Sequence, residues 1–108
     1  MRKIETMMNR AVANNKNWSS SNTTVSFNEE ENVSVVRLHG NKIAEVGPTF
    51  LRIFDGGWQT VTTKSRLNAL INRFANAATD GVFQKNYVWK VRDNGQTIDF
   101  TNGYTFAQ

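Results

Sequence analysis

Cysteine is absent from the 108 residues, which excludes disulfides, thiolate catalysis and cysteine-based metal sites. Proline occurs once, at Pro48, and histidine once, at His39. With no Pro-rich linker, the chain reads as one domain over residues 1–108. A lone histidine with no serine, cysteine or carboxylate beside it offers no catalytic pair, and reads as a turn or strand residue. No apolar run is long enough to span a bilayer, and none near the N-terminus resembles a secretory segment. A reducing cytosol is therefore the expected compartment. The sequons at Asn17, Asn22 and Asn32 then read as by-products of an Asn- and Thr-rich composition. Phosphate loops, nucleophile elbows, HExxH and EF-hand spacings are all missing. The expectation is a protein that is not an enzyme and uses no cofactor or metal.

What is present is enough for a core. Hydrophobic residues make up 39% of the chain, with seven Phe, three Trp and two Tyr, so wholesale disorder is excluded. The formal charge is +4, which permits an anionic partner without demanding one.

The segment Phe54–Phe74 organises the rest. Gly56 and Gly57 allow a sharp reversal, Trp58 follows as a candidate aromatic anchor, and Thr62 or Thr63 is a candidate N-cap. Leu67, Leu70, Ile71, Phe74 and Ala78 then recur at helical spacing. Lys64, Arg66 and Arg73 lie off that stripe, and no acidic residue occurs between Asp55 and Asp80. The pattern predicts a helix with one buried side and one basic, amide-rich side facing water. An earlier helix is expected over residues 2–16, with Ile4, Met7, Met8, Ala11 and Val12 inward and an end near Asn14 or Asn15.

Between the helices, Trp18–Thr23 reads as a polar connector. Strands are expected at Val25–Phe27, Val33–His39, Lys42–Val46 and Phe50–Phe54. Gly40-Asn41 is a hairpin signal that would pair Leu38 with Ile43 and Val36 with Glu45. Glu29, Glu30 and Glu31 form an acidic loop, read as solvated in preference to a weak cation site. After the second helix, Asn94-Gly95 centres a hairpin between Val82–Arg92 and Gln96–Thr101. Counting outward pairs Val91 with Ile98, Trp89 with Phe100 and Lys90 with Asp99, and puts Tyr87 on the core face. Asn102-Gly103 turns the chain into Tyr104 and Phe106, expected to cap the core. The sum is an α+β fold: an antiparallel sheet of about four to six strands in hairpins, with two helices packed on one face.

For function, the carboxylates Asp55, Asp80 and Asp93 sit in turns, where aspartate is expected anyway. From Trp58 to Arg92, however, Lys64, Arg66, Arg73, Lys85, Lys90 and Arg92 face Asp80 alone, a net of +5. Trp58, Phe83, Tyr87 and Trp89 are interleaved with them. Cations on phosphates and rings under bases are how single strands are held without strict sequence choice. These six cations are the predicted nucleic-acid contacts. The competing expectation is a protein-binding or self-associating module that uses an exposed strand edge or aromatic patch.

The blocks LHGNKIAEVG (Leu38–Gly47), FDGGWQTVTTKSRLNALINRF (Phe54–Phe74), GVFQKNYVWKV (Gly81–Val91) and FTNGYTF (Phe100–Phe106), with the opening MRKIET, resemble small proteins encoded by tailed bacteriophages. The resemblance implies an accessory factor acting in the infected host's cytoplasm on a host protein or nucleic acid. It brings no functional residues with it.

Overall fold

The second helix, α2 (Val61–Phe74), starts where the Thr60 hydroxyl accepts the Thr63 N–H at 3.1 Å. The cap thus lies ahead of Thr62 and Thr63, and Thr63 is itself buried. Leu67, Leu70 and Ile71 are fully buried and Phe74 partly so. Burying each such side chain contributes roughly 1.5–3 kcal/mol. Ala78 falls in a turn beyond the helix end, so the stripe is one residue shorter than expected.

The computed structural model describes residues 2–107. In chain order, α1 (Lys3–Ala13) precedes β1 (Trp18–Ser20), β2 (Thr23–Asn28), β3 (Val33–Leu38), β4 (Asn41–Val46) and β5 (Phe50–Ile53). After α2 come β6 (Gly81–Lys85), β7 (Val88–Asp93), β8 (Gln96–Asp99) and β9 (Tyr104–Ala107). The fold is α+β with two antiparallel sheets. One runs β1-β2-β3-β4-β5-β9 and the other β6-β7-β8. The last strand crosses back to pair Phe106 with Leu51, so the closing hairpin is not an extension of the first meander.

On the inner face of the six-stranded sheet, Val25, Val36, Leu38, Ala44, Val46, Leu51, Ile53 and Phe106 meet Met8 and Val12 of α1 and the α2 stripe. Of the α1 stripe, Met7 is the member left exposed. The helix is capped at Asn14, and Asn15 takes a left-handed φ of 54°, as the sequence suggests. Among the described residues no helix is long and apolar enough to cross a membrane.

Two local expectations change. Trp18–Ser20 is a strand, not a connector, because Trp18 pairs with Val25 at the sheet edge. The β3–β4 turn is His39-Gly40, with φ of 52° and 80°, so Leu38 pairs with Asn41. Glycine takes the second turn position here, where the left-handed φ is larger, and this moves the turn by one residue and the partner of Leu38 by two. A bulge between Val36 and Arg37 then sets Val36 opposite Ala44 and turns Ile43 and Ala44 both inward.

At the C-terminal end the Tyr104 hydroxyl donates to Asp93 Oδ2 at 2.6 Å. Burial, this bond and the nearby carboxylates of Asp93 and Asp80 push the phenol up to about 12. A phenol raised above its ordinary value of 10 contributes stability below pH 10 that is lost as pH rises through 12. In a Tyr87→Phe variant, ultraviolet titration of the remaining tyrosine is expected to show a midpoint near pH 12. A midpoint near pH 10 would mean that the Asp93 bond does not persist in solution.

Candidate nucleic-acid interface

The six predicted cations do not form one surface. Arg66 is 3% exposed and belongs to the interior. Its guanidinium donates from Nη1 to Glu5 Oε2 (2.8 Å), from Nε to Thr23 Oγ1 (3.1 Å) and from Nη2 to Asn22 Oδ1 (3.4 Å). The counter-charge comes from α1, 61 residues away in sequence, so the local absence of acids is misleading. Burial raises the Glu5 carboxyl, but bonds from Ser65, Arg66 and the Arg2 N–H outweigh it and leave Glu5 below its ordinary value. Arg66 is therefore withdrawn as a ligand contact and reassigned to holding α1, α2 and the β1–β2 turn together.

Lys64 and Arg73 are nine residues apart, about 180° around the helix. Lys64 points to β6, its ammonium 3.5 Å from Gln84 Oε1. Arg73 lies over the Phe74 ring at the far end of α2, beside Arg10 of α1. Both arginines sit in the last turns of their helices, where a cation compensates the negative end of the macrodipole. The shared basic helix face expected from the sequence is not formed.

The three remaining cations do converge. In the β6-β7-β8 sheet, Val82, Trp89 and Val91 point into the core. Strand alternation therefore sends Phe83, Lys85, Val88, Lys90 and Arg92 to the opposite, solvent-facing side. The register aligns Lys85 with Val88, Phe83 with Lys90 and Asp99, and Gly81 with Arg92 and Thr97. Lys90 pairs with Asp99 as expected, and that carboxylate is well exposed. Such a pair is worth at most about 1 kcal/mol and exchanges readily for another anion.

Tyr87 departs furthest from expectation. The run Val82–Arg92 is not one strand but two, joined by the two-residue turn Asn86-Tyr87. Both residues have left-handed φ, 52° and 65°. Tyr87 is therefore not on the core face and is 93% exposed. The other two turns of this type, His39-Gly40 and Asn94-Gly95, have glycine at the second position. A side chain with a Cβ there costs about 1–2 kcal/mol.

This tip lies at the same end of the molecule as the start of α2. Asn68 bonds both the Val82 N–H and C=O, and Lys64 meets Gln84, so β6 runs antiparallel to α2. Trp58, expected as an aromatic anchor, is 70% exposed at that end, where it lines an open cleft with Leu38, Ile43 and the first turn of α2. Val61 and Val88 are exposed there too. Rings and aliphatics at the tip thus adjoin Lys64, Lys85 and Lys90, while Arg92 lies at the other end of the same sheet face, near Asp80. The Glu29–Glu31 loop is exposed, and among the described residues no acidic or histidine group forms a metal-ligand cluster.

A two-helix α+β architecture with a six-stranded and a three-stranded antiparallel sheet sharing one core is the class this fold defines. The chain belongs to the Kyanoviridae Gp96 protein family, whose model matches residues 1–107, and is therefore a phage-encoded protein. No curated protein and no solved structure matches it.

Proposed function

We propose that the protein is a non-catalytic binding module for single-stranded nucleic acid, in keeping with a phage accessory role. The strand would cross the outer face of the β6-β7-β8 sheet. The observation that carries the reading is the register that sets Lys85, Lys90 and Arg92 beside Phe83 on one solvent face, with Tyr87 projecting at its tip. Phosphates would take the three cations and Lys64, and bases would stack on Tyr87 and Phe83.

With three phosphates neutralised on the sheet and one on Lys64, the single-strand salt slope is about −2.8, so affinity for an oligothymidylate is expected to fall roughly 50-fold between 50 and 200 mM salt. Replacing Lys85, Lys90 and Arg92 together by glutamine is expected to abolish binding in a fluorescence-anisotropy titration. Replacing Arg10 and Arg73 is expected to leave it within about twofold. Salt-independent binding, or loss on changing the helix arginines alone, would overturn the reading.

One observation favours self-association as a second reading. β8 is an open edge whose four residues are all exposed, Ile98 among them, and such edges invite pairing. Light scattering at high protein concentration decides it, since a strict monomer removes this reading.

A further inference from the structure

A cleft of about 310 Å³ opens beside the tip, between the His39-Gly40 turn, the Asp55-Gly56 turn and the start of α2. That volume is at the lower end of small-molecule pockets, roughly 300–1,000 Å³. Leu38 and Ile43, both buried, supply apolar lining, and the largely exposed Trp58 lines the cleft as well. Asn41 and Asp55 bring polar groups to the opening. The Asp55 carboxylate is fixed in place: Oδ1 accepts from the Gly57 N–H at 2.8 Å and Oδ2 from Gln59 Nε2 at 3.3 Å. Each oxygen has a further lone pair to offer.

We infer that this cleft is a nucleobase pocket, in which one base stacks on Trp58 and donates N–H groups to Asp55. The inference deepens the nucleic-acid reading, on which it rests, by adding a base-selective position to a sheet that holds backbone. An indole beside an aliphatic lining suits a flat heterocycle, because every base presents a π-face. A held carboxylate discriminates among bases, since it accepts from adjacent ring and exocyclic N–H groups and repels carbonyl edges. Guanine, with both donors side by side, fits best, and uracil, with one N–H between two carbonyls, fits worst. A neutral amide at residue 55 would keep an oxygen for the Gly57 N–H while losing the acceptor pair.

The test is calorimetric titration of the full chain with guanosine and uridine 5′-monophosphates, run beside the oligothymidylate assay. Guanosine monophosphate is expected to bind roughly tenfold more tightly than uridine monophosphate. Asp55→Asn is expected to erase that preference, and Trp58→Ala to weaken both nucleotides by roughly tenfold or more. The Lys85/Lys90/Arg92→Gln variant should retain the preference while losing the oligonucleotide. If the oligothymidylate binds but neither nucleotide does, the pocket is refuted and the sheet reading stands. If guanosine monophosphate binds but the oligonucleotide does not, the pocket stands and the sheet reading falls.

Discussion

Arg66→Gln is expected to destabilise the protein by about 3–5 kcal/mol in urea unfolding, because it strands a carboxylate in the interior. Arg66 and Glu5 are each nearly fully buried, and their 2.8 Å pair is the charged link between the two helices. Removing the guanidinium also takes one donor each from the Thr23 and Asn22 oxygens, which stay bonded to one another. With total stability of about 5–15 kcal/mol for an ordinary domain, the variant sits close to unfolding. A double replacement, Glu5→Leu with Arg66→Met, removes both charges and is expected to recover most of the loss, since apolar isosteres of buried pairs are often neutral or better. The same pair has a pH signature. Glu5 lies below its ordinary 4.5 in the folded state, so it contributes stability above pH 4.5 that is lost as pH falls through the folded value. The double replacement removes that share of the acid sensitivity. A single-variant cost under about 1 kcal/mol would show that the pair does not hold the helices together.

Much of the architecture is legible in local pattern. The period of Leu67, Leu70 and Ile71 marks the core side of α2, and Asn94-Gly95 sets the Val91–Ile98 and Lys90–Asp99 pairs. Each signal is contained within a few residues, so neither a distant partner nor a bulge can disturb it. The errors arise where the deciding contact is remote or the turn lacks its usual residue. Arg66 looks solvent-facing because nothing near it in sequence is acidic, whereas its partner is on α1. Trp58 looks like an anchor because it follows a glycine turn and precedes a helix, and nothing in that local pattern shows that it ends at an open cleft. Asn86-Tyr87 carries no glycine, so strand parity runs through it and places Tyr87 inward. Lys-Asn-Tyr between two alternating runs was the available cue, since Asn tolerates left-handed φ. For the site, the sequence names the cations, but only the register separates the three that converge from the three that do not.

Tyr87→Gly is the second large effect, and its two readouts are expected to move in opposite directions. At φ 65° the residue occupies a conformation that glycine takes without a Cβ clash. Because Tyr87 is almost wholly exposed, the ring buries little that its loss would forfeit. Relief of strain offsets the greater freedom of glycine in the unfolded chain, for a net gain of roughly 1 kcal/mol. A stacked base is worth about 1–3 kcal/mol, so oligothymidylate affinity is expected to fall roughly 5- to 150-fold. Strain held at an exposed ring motivates the proposed binding role, which this variant tests.

The paired measurement on this one variant, urea stability together with oligothymidylate affinity at 50 mM salt, tests the interface most directly. Higher stability with at least fivefold weaker binding is the result the β6–β7 tip predicts. Unchanged affinity, whatever the stability, would contradict it.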